Sequence, residues 1–311
     1  RALLPADLEA AQALSAAVRW PHRTEDWHFA QGIGEGIALE AARKLVGTAI
    51  TWSFGPDWGT LGMVIVAPAH QGRGLGRRLM EACIVQLGPR GIQLHATPEG
   101  EPLYRSLGFA PTGAIRQHQG AAFSLGFQAP RPGERLRPAG RADLGVLAAL
   151  DTAACGMARA PMLAALLGDA EAIVLDRGGL ACGYAMLRRF GRGKVIGPVI
   201  APDEEAARLL VAHGLGQKQG EFLRIDVTDD SGLSPWLQAA GLPEVDVVTR
   251  IDFRVSVPLD SPKLIEAGRD RARIKLYQQQ KQAVDAVAPN LPAEEVSPFL
   301  LTPKHGGPAQ R

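Results

Sequence analysis

The residues from Val64 to Met80 read VIVAPAHQGRGLGRRLM, and this stretch decides the fold. The apolar start predicts the end of a strand, and the pattern from Leu75 to about Leu87 predicts an amphipathic helix. The turn between them carries glycines at positions 72, 74 and 76, which leave backbone N–H groups unobstructed by Cβ atoms. Amides at a helix N-terminus attract phosphate, and three arginines add positive charge: Arg73, Arg77 and Arg78. The stretch therefore predicts a phosphate-binding loop.

Other phosphate loops fit less well. A Walker A loop requires Lys-Ser or Lys-Thr after its last glycine, and Arg77 stands there instead. A dinucleotide-binding loop requires G-x-G-x-x-G and an acidic residue about 20 positions later, whereas this order is G-x-G-x-G with no such acid. A glycine-rich turn without a ligand remains an alternative, although Pro68 and the order Gln71-Gly72-Arg73-Gly74 argue against it.

The chain also repeats itself. Matching motifs recur at separations of 133 to 136 residues: Ala6-Asp7-Leu8 with Ala142-Asp143-Leu144, Pro68 with Pro202, and Gly108 with Gly241. Each copy predicts a mixed α/β unit of helices and short strands. We therefore expect an α/β (α+β) fold of two tandem domains, 1–128 and 129–254, each with a mixed, mostly antiparallel twisted sheet flanked by helices. Residues 255–311 fit neither copy, and we expect a helix over 263–288 and a Pro-rich end there.

Composition narrows the function classes. The 311 residues carry 34 Lys and Arg against 32 Asp and Glu, and the net charge of +2 gives no reason to expect nucleic-acid or membrane binding. The three cysteines, Cys83, Cys155 and Cys182, are far apart, so we expect neither disulfides nor a metal site. With no signal peptide or apolar span of about 18 residues, we expect a cytoplasmic protein.

The loop resembles that of the GCN5-related N-acetyltransferase (GNAT) superfamily, Arg/Gln-x-x-Gly-x-Gly/Ala, which Gln71 to Gly76 matches. The segment Leu103-Tyr104-Arg105-Ser106-Leu107-Gly108-Phe109 also resembles the family's tyrosine-containing C-terminal helix. The resemblance covers about residues 1–252 and is similar to tandem GNAT proteins with a degenerate second copy. It implies two tandem GNAT-like domains and an acetyl-CoA-dependent N-acetyltransferase with a small-molecule amine acceptor and no metal.

The resemblance also implies roles for residues of the first copy. The strand end at Val64, Ile65 and Val66 would pair with the pantetheine arm of acetyl-CoA. The pyrophosphate would lie in the loop formed by Gln71, Gly72, Arg73, Gly74, Leu75, Gly76 and Arg77. Tyr104 would protonate the departing thiolate. The proton acceptor is less determined: His95 on the following strand is the first candidate, and His22, Glu25 and Asp26 are alternatives.

A constant shift of 134 places Gln71 on Glu205 and the glycines on other residue types, and a shift of 133 places Tyr104 on Leu237. We expect the second copy to bind no acetyl-CoA in the usual way; its role would be packing, shaping the acceptor pocket or binding another small ligand. Two rival functions stay open from the sequence: a non-catalytic GNAT-like module that senses acyl-CoA or a small ligand, and an unrelated nucleotide-binding enzyme. A homodimer also stays open.

Overall fold

The computed structural model describes residues 1–121, 128–218 and 220–253, so the helix predicted over 263–288 lies outside the described residues. We call residues 1–121 the first half and residues 128–253 the second half. The first half contains α1 (Leu8–Ala17), α2 (Thr24–Gly32), β1 (Glu35–Ala41), β2 (Lys44–Phe54), β3 (Trp58–Val66), α3 (Leu75–Leu87), β4 (Gly91–Ala96), α4 (Glu101–Ser106) and β5 (Ala110–Ala121).

The second half repeats this order after one extra strand. Its elements are β6 (Glu134–Pro138), α5 (Leu144–Cys155), α6 (Ala160–Leu166), β7 (Glu171–Arg177), β8 (Leu180–Phe190), β9 (Gly193–Ile200), α7 (Glu204–Gly216), β10 (Phe222–Thr228), α8 (Leu233–Ala239) and β11 (Glu244–Phe253). The repeat inferred from motif spacing therefore corresponds to a repeat of structure.

In the described residues, eleven strands form one sheet in the order β1-β2-β3-β4-β11-β5-β10-β9-β8-β7-β6. The last strand of each half lies beside the other half: β11 pairs with β4, and β5 pairs with β10. At the centre Val248 pairs with Ile115, which are 248 − 115 = 133 residues apart, close to the repeat distance. The two halves are therefore related by a local two-fold axis through this pair, and each completes its sheet with a strand from the other.

Helices cover both faces of the sheet. In the first half, α1 and α2 pack on Ile50 and Ile65, while α3 and α4 pack on Ala49, Leu61 and Leu94. Successive strand residues point to opposite faces, which explains how Ala49 and Ile50 reach different cores. The second half has the same two layers, with α5 and α6 on one face and α7 and α8 on the other.

The mixed, mostly antiparallel sheet predicted from the sequence is confirmed. Among the described strands, β3–β4 and β9–β10 are parallel pairs, and the other neighbouring pairs are antiparallel. The predicted domain boundaries stay a prediction, because the exchanged strands leave either half incomplete without the other.

Candidate active site

The site begins at a gap in the sheet. Strands β3 and β4 pair only from Trp58↔Gly91 to Thr60↔Gln93, although β3 continues to Val66. Beyond Thr60 the edge of β3 that faces β4 therefore has no partner strand, and its backbone groups are free to pair with a bound ligand.

The pairing of β3 with β2 fixes which residues face this gap. Ala67 N–H donates to Val46 O at 2.8 Å, and Val66 lies opposite Gly47. Backbone groups alternate sides in an antiparallel pair, so those of Val64 and Val66 point to the gap while those of Ile65 point to β2. Ile65 also has its side chain buried against α1 and α2. Of the three strand residues proposed from the sequence, two thus present hydrogen-bonding groups to the gap.

The glycine loop closes one end of the gap. Gln71 Nε2 donates to Val66 O at 2.9 Å, which ties the loop to the strand end. Gly72 and Gly74 both have φ of +74°, a conformation that L residues with side chains adopt only under strain. A Cβ added at either glycine would have no atom within 4 Å, so open space lies beside the backbone. Gly74 is also the N-cap of α3, which directs the first amides of the helix outward. This open cradle fits a pyrophosphate.

The arginines of the loop differ in their surroundings. Arg73 is exposed at the loop. Arg77 Nη2 donates to Ser106 Oγ at 2.7 Å and thereby joins α3 to α4. The structure thus gives Arg77 a role in holding the tyrosine helix α4, in addition to its charge near the loop.

Tyr104 is buried on the α3 side of the sheet, in the core with Met80 and Cys83. Burial raises the pKa of Tyr104 to about 12, so its hydroxyl keeps its proton at neutral pH. Its ring lies 6.2 Å from that of Phe109, which lies 5.2 Å from that of Phe253 on β11. A strand of the second half therefore supports the tyrosine of the first.

His95 lies on β4 on the opposite face from Tyr104. Its neighbours Leu94 and Ala96 are buried, whereas the His95 side chain is exposed and lies beside Arg250 in the pairing of β4 with β11. Desolvation by the surrounding protein lowers the pKa of His95 below its usual 6.5, and the charge of Asp226 acts in the opposite direction. A neutral imidazole at pH 7 can accept a proton. Tyr104 and His95 thus lie on opposite faces of the sheet beside the gap, where a ligand would lie between them.

The remaining base candidates lie in the segment between α1 and α2. Asp26 is buried; burial raises its pKa, but hydrogen bonds from Arg23 and from Gly191 N–H outweigh this and hold the carboxylate ionised. Burial lowers the pKa of His22 to about 4, and Glu25 is exposed. Asp26 therefore serves to fix the segment, which leaves His95 and His22 as neutral bases.

Two family models described as acetyltransferase (GNAT) domains match the chain, at residues 33–111 and 147–265. The chain is 32% identical over 209 residues to an uncharacterized N-acetyltransferase of Bacillus subtilis (strain 168), YitH, covering 66% of this chain and 73% of that protein. The chain belongs to the GNAT family of acetyltransferases. Membership excludes the unrelated nucleotide-binding enzyme that the sequence left open.

Solved structures show the same tandem fold. A GCN5-related N-acetyltransferase from Sphaerobacter thermophilus superposes with a TM-score of 0.63 at 16% identity, covering 84% of this chain and 96% of that one. A tandem GNAT protein from the clavulanic acid biosynthesis pathway gives a TM-score of 0.58 at 14% identity, covering 83% and 98%. At these identities the likeness concerns the fold.

The second GNAT half keeps the gap but has lost the loop. Strands β9 and β10 pair only up to Ile196↔Ile225 and then diverge around a cavity of about 300 Å³. Eight residues, 67–74, join β3 to α3, whereas three, 201–203, join β9 to α7. The constant shift that placed Gln71 on Glu205 is therefore wrong at this point, because the second half lacks five residues of the loop rather than replacing them.

The helix start in the second half is already occupied. Asp203 caps α7 by accepting from Ala206 N–H at 2.9 Å and pairs with Arg131 and Arg177. At the tyrosine position, Leu237 O accepts from Leu242 N–H as Tyr104 O accepts from Phe109 N–H, so the assignment of Leu237 to the place of Tyr104 holds. The second half thus lacks both the phosphate cradle and the hydroxyl.

Sequence reasoning missed the charged residues that the second half brings near His95, chiefly Arg250, Arg224 and Asp226. No motif marks them, and strand pairing alone brings them close. Among the described residues, no cluster of three His, Cys, Asp or Glu side chains is arranged to bind a metal. No helix within those residues has the length and apolar character needed to cross a bilayer.

Proposed function

We propose that the chain is an acetyl-CoA-dependent N-acetyltransferase that transfers the acetyl group directly to an amine, with the first half as the catalytic half. The observation that carries this proposal is the open glycine loop at the N-terminus of α3, placed at the end of an unpaired strand edge. Acetyl-CoA would supply the activated acetyl thioester.

The residues around the gap have separate tasks. Amides from Gly72 to Gly76 would hold the pyrophosphate, and Val64 and Val66 would pair with the pantetheine arm. His95 would take a proton from the acceptor ammonium at a ring nitrogen. Tyr104 Oη would give its proton to the coenzyme sulfur, for which a neutral, buried phenol is suited.

Calorimetric titration with acetyl-CoA, with ATP and NAD as comparisons, tests the binding step. We expect binding of acetyl-CoA at tens of micromolar or tighter, and absence of binding would overturn the proposal. A screen of amines with detection of the released thiol then tests transfer. Coenzyme binding without transfer to any amine would indicate a sensing module instead.

A further inference from the structure

The segment between α1 and α2 packs against the β8–β9 hairpin of the second half. Gly191 N–H donates to Asp26 Oδ2 at 2.9 Å, and the His22 ring lies 5.6 Å from that of Phe190, edge to face. Residues from both halves thus line one surface, which belongs to the helix face of the sheet that His95 also faces.

Arg188 lies at the centre of this surface. Its guanidinium carbon is 5.0 Å from the ring centre of Phe29 in the first half and 5.0 Å from that of Phe190 in the second. Its side chain is only 17% exposed. Two aromatic faces hold the guanidinium but accept none of the hydrogen bonds that its N–H groups offer in the plane.

The positive charge of Arg188 is poorly balanced. Within the described residues, its polar contacts are a hydrogen bond from Nη1 to Arg189 O at 3.2 Å and Asp26 Oδ1 at 4.0 Å. Asp26 already accepts from Arg23 and Gly191, so it gives Arg188 little. Burial lowers the pKa of Arg188, although Asp26 attracts the charge. A largely buried cation without a close counter-ion is costly unless an anion binds it.

The neighbouring arginine does not share this condition. Arg224 stacks on Phe190 at 5.5 Å, but its guanidinium binds the Asp226 carboxylate twice, at 2.8 and 2.6 Å. Its charge nevertheless acts on both His22 and His95, which shows that the surface around Phe190 continues toward His95. One unbalanced cation therefore remains, on the acceptor side of the site.

We propose that Arg188 binds a carboxylate of the acceptor, so that the acceptor is an amine that also carries a carboxylate group. The planar guanidinium fork matches a carboxylate, and the two rings leave only the plane of the fork open. A phosphate dianion would leave one negative charge without a partner. This inference rests on the proposed function, since it assigns the acceptor of that transfer.

A binding experiment without catalysis tests the inference. The probes are a panel of N-acetyl amino acids, each paired with its carboxamide, titrated calorimetrically into the full chain. We expect at least one free acid to bind about 10- to 100-fold tighter than its carboxamide, the effect of one charged hydrogen-bonded pair. Arg188→Gln should remove the difference, and Arg188→Lys should keep part of it.

A matched control is Arg192→Gln, which removes the same charge from an exposed position of the same hairpin and should keep the preference. If no acid in the panel is preferred over its carboxamide, or if Arg188→Gln keeps the preference, the inference is wrong. Acetyl-CoA titration of wild type and of Arg188→Gln separates the two proposals. Loss of coenzyme binding in wild type would overturn the proposed function, while the acid–carboxamide comparison would still decide the role of Arg188.

Discussion

The two strand gaps of this protein start from the same architecture and end differently. Both lie between parallel strands that diverge after three paired residues, at Thr60↔Gln93 and at Ile196↔Ile225. In the first gap, eight residues lead into the helix and leave amides open; in the second, three residues suffice and Asp203 caps the helix. A fold that supplies the gap therefore does not supply a coenzyme site, because the loop determines whether the helix start is free.

The largest expected effect comes from giving the first half the connection of the second. Replacing residues 67–74 by Ala-Pro-Asp, the sequence at 201–203, should weaken acetyl-CoA binding at least ~100-fold, because several amide donors are lost together. Calorimetry measures the affinity, and circular dichroism verifies that the variant is folded. Unchanged affinity in a folded variant would mean that the pyrophosphate binds elsewhere.

A second comparison uses equivalent core leucines. Leu79 on α3 and Leu210 on α7 are both fully buried, and they pack at 3.4 Å beside Gly47 and Gly183 in the two halves. Substitution of either by alanine should cost about 2–5 kcal/mol. Because the last strands are exchanged, we expect each variant to lower the temperature of one common calorimetric transition.

Leu180→Ala is the control for that pair, since this side chain is 76% exposed and should leave the transition nearly unchanged. Two separate transitions, each moved by only one of the buried substitutions, would contradict a single cooperative unit built on exchanged strands.

Two buried tyrosines allow a third comparison. Tyr104→Phe should lower kcat about 100-fold while acetyl-CoA affinity stays the same, because the phenol proton is needed only when the thiolate leaves. Tyr184 in the second half donates to Asp151 at 2.5 Å and serves packing. Tyr184→Phe should therefore lower stability and leave kcat unchanged. Equal kcat for Tyr104→Phe and wild type would remove Tyr104 from the acid role.

The loop, the repeat and the tandem GNAT fold could be predicted from the sequence because each depends on local order. Gly72 and Gly74 require the conformation that glycine allows, and the motif spacing reveals the copies. The strand exchange could not be predicted, because β5 and β11 show the same pattern whichever half they join. The shortened second loop was hidden because a constant shift assumes equal loop lengths. Arg188 was missed because its two aromatic neighbours, Phe29 and Phe190, are 161 residues apart in the chain (190 − 29 = 161).

The smallest effect concerns the proton acceptor. If His95 takes the proton, it must be neutral to act, so log kcat/KM should fall as pH drops through a pKa that lies below 6.5, in addition to the titration of the acceptor amine. His95→Gln should lower kcat/KM by about 10- to 100-fold and abolish this acidic limb while leaving the limb of the amine. His22→Gln is the matched control, because the pKa of His22 lies near 4 and its limb would appear at lower pH. An acidic limb near pH 4 that persists in His95→Gln and vanishes in His22→Gln would transfer the role to His22, and with it the reacting amine to the surface shared by the two halves.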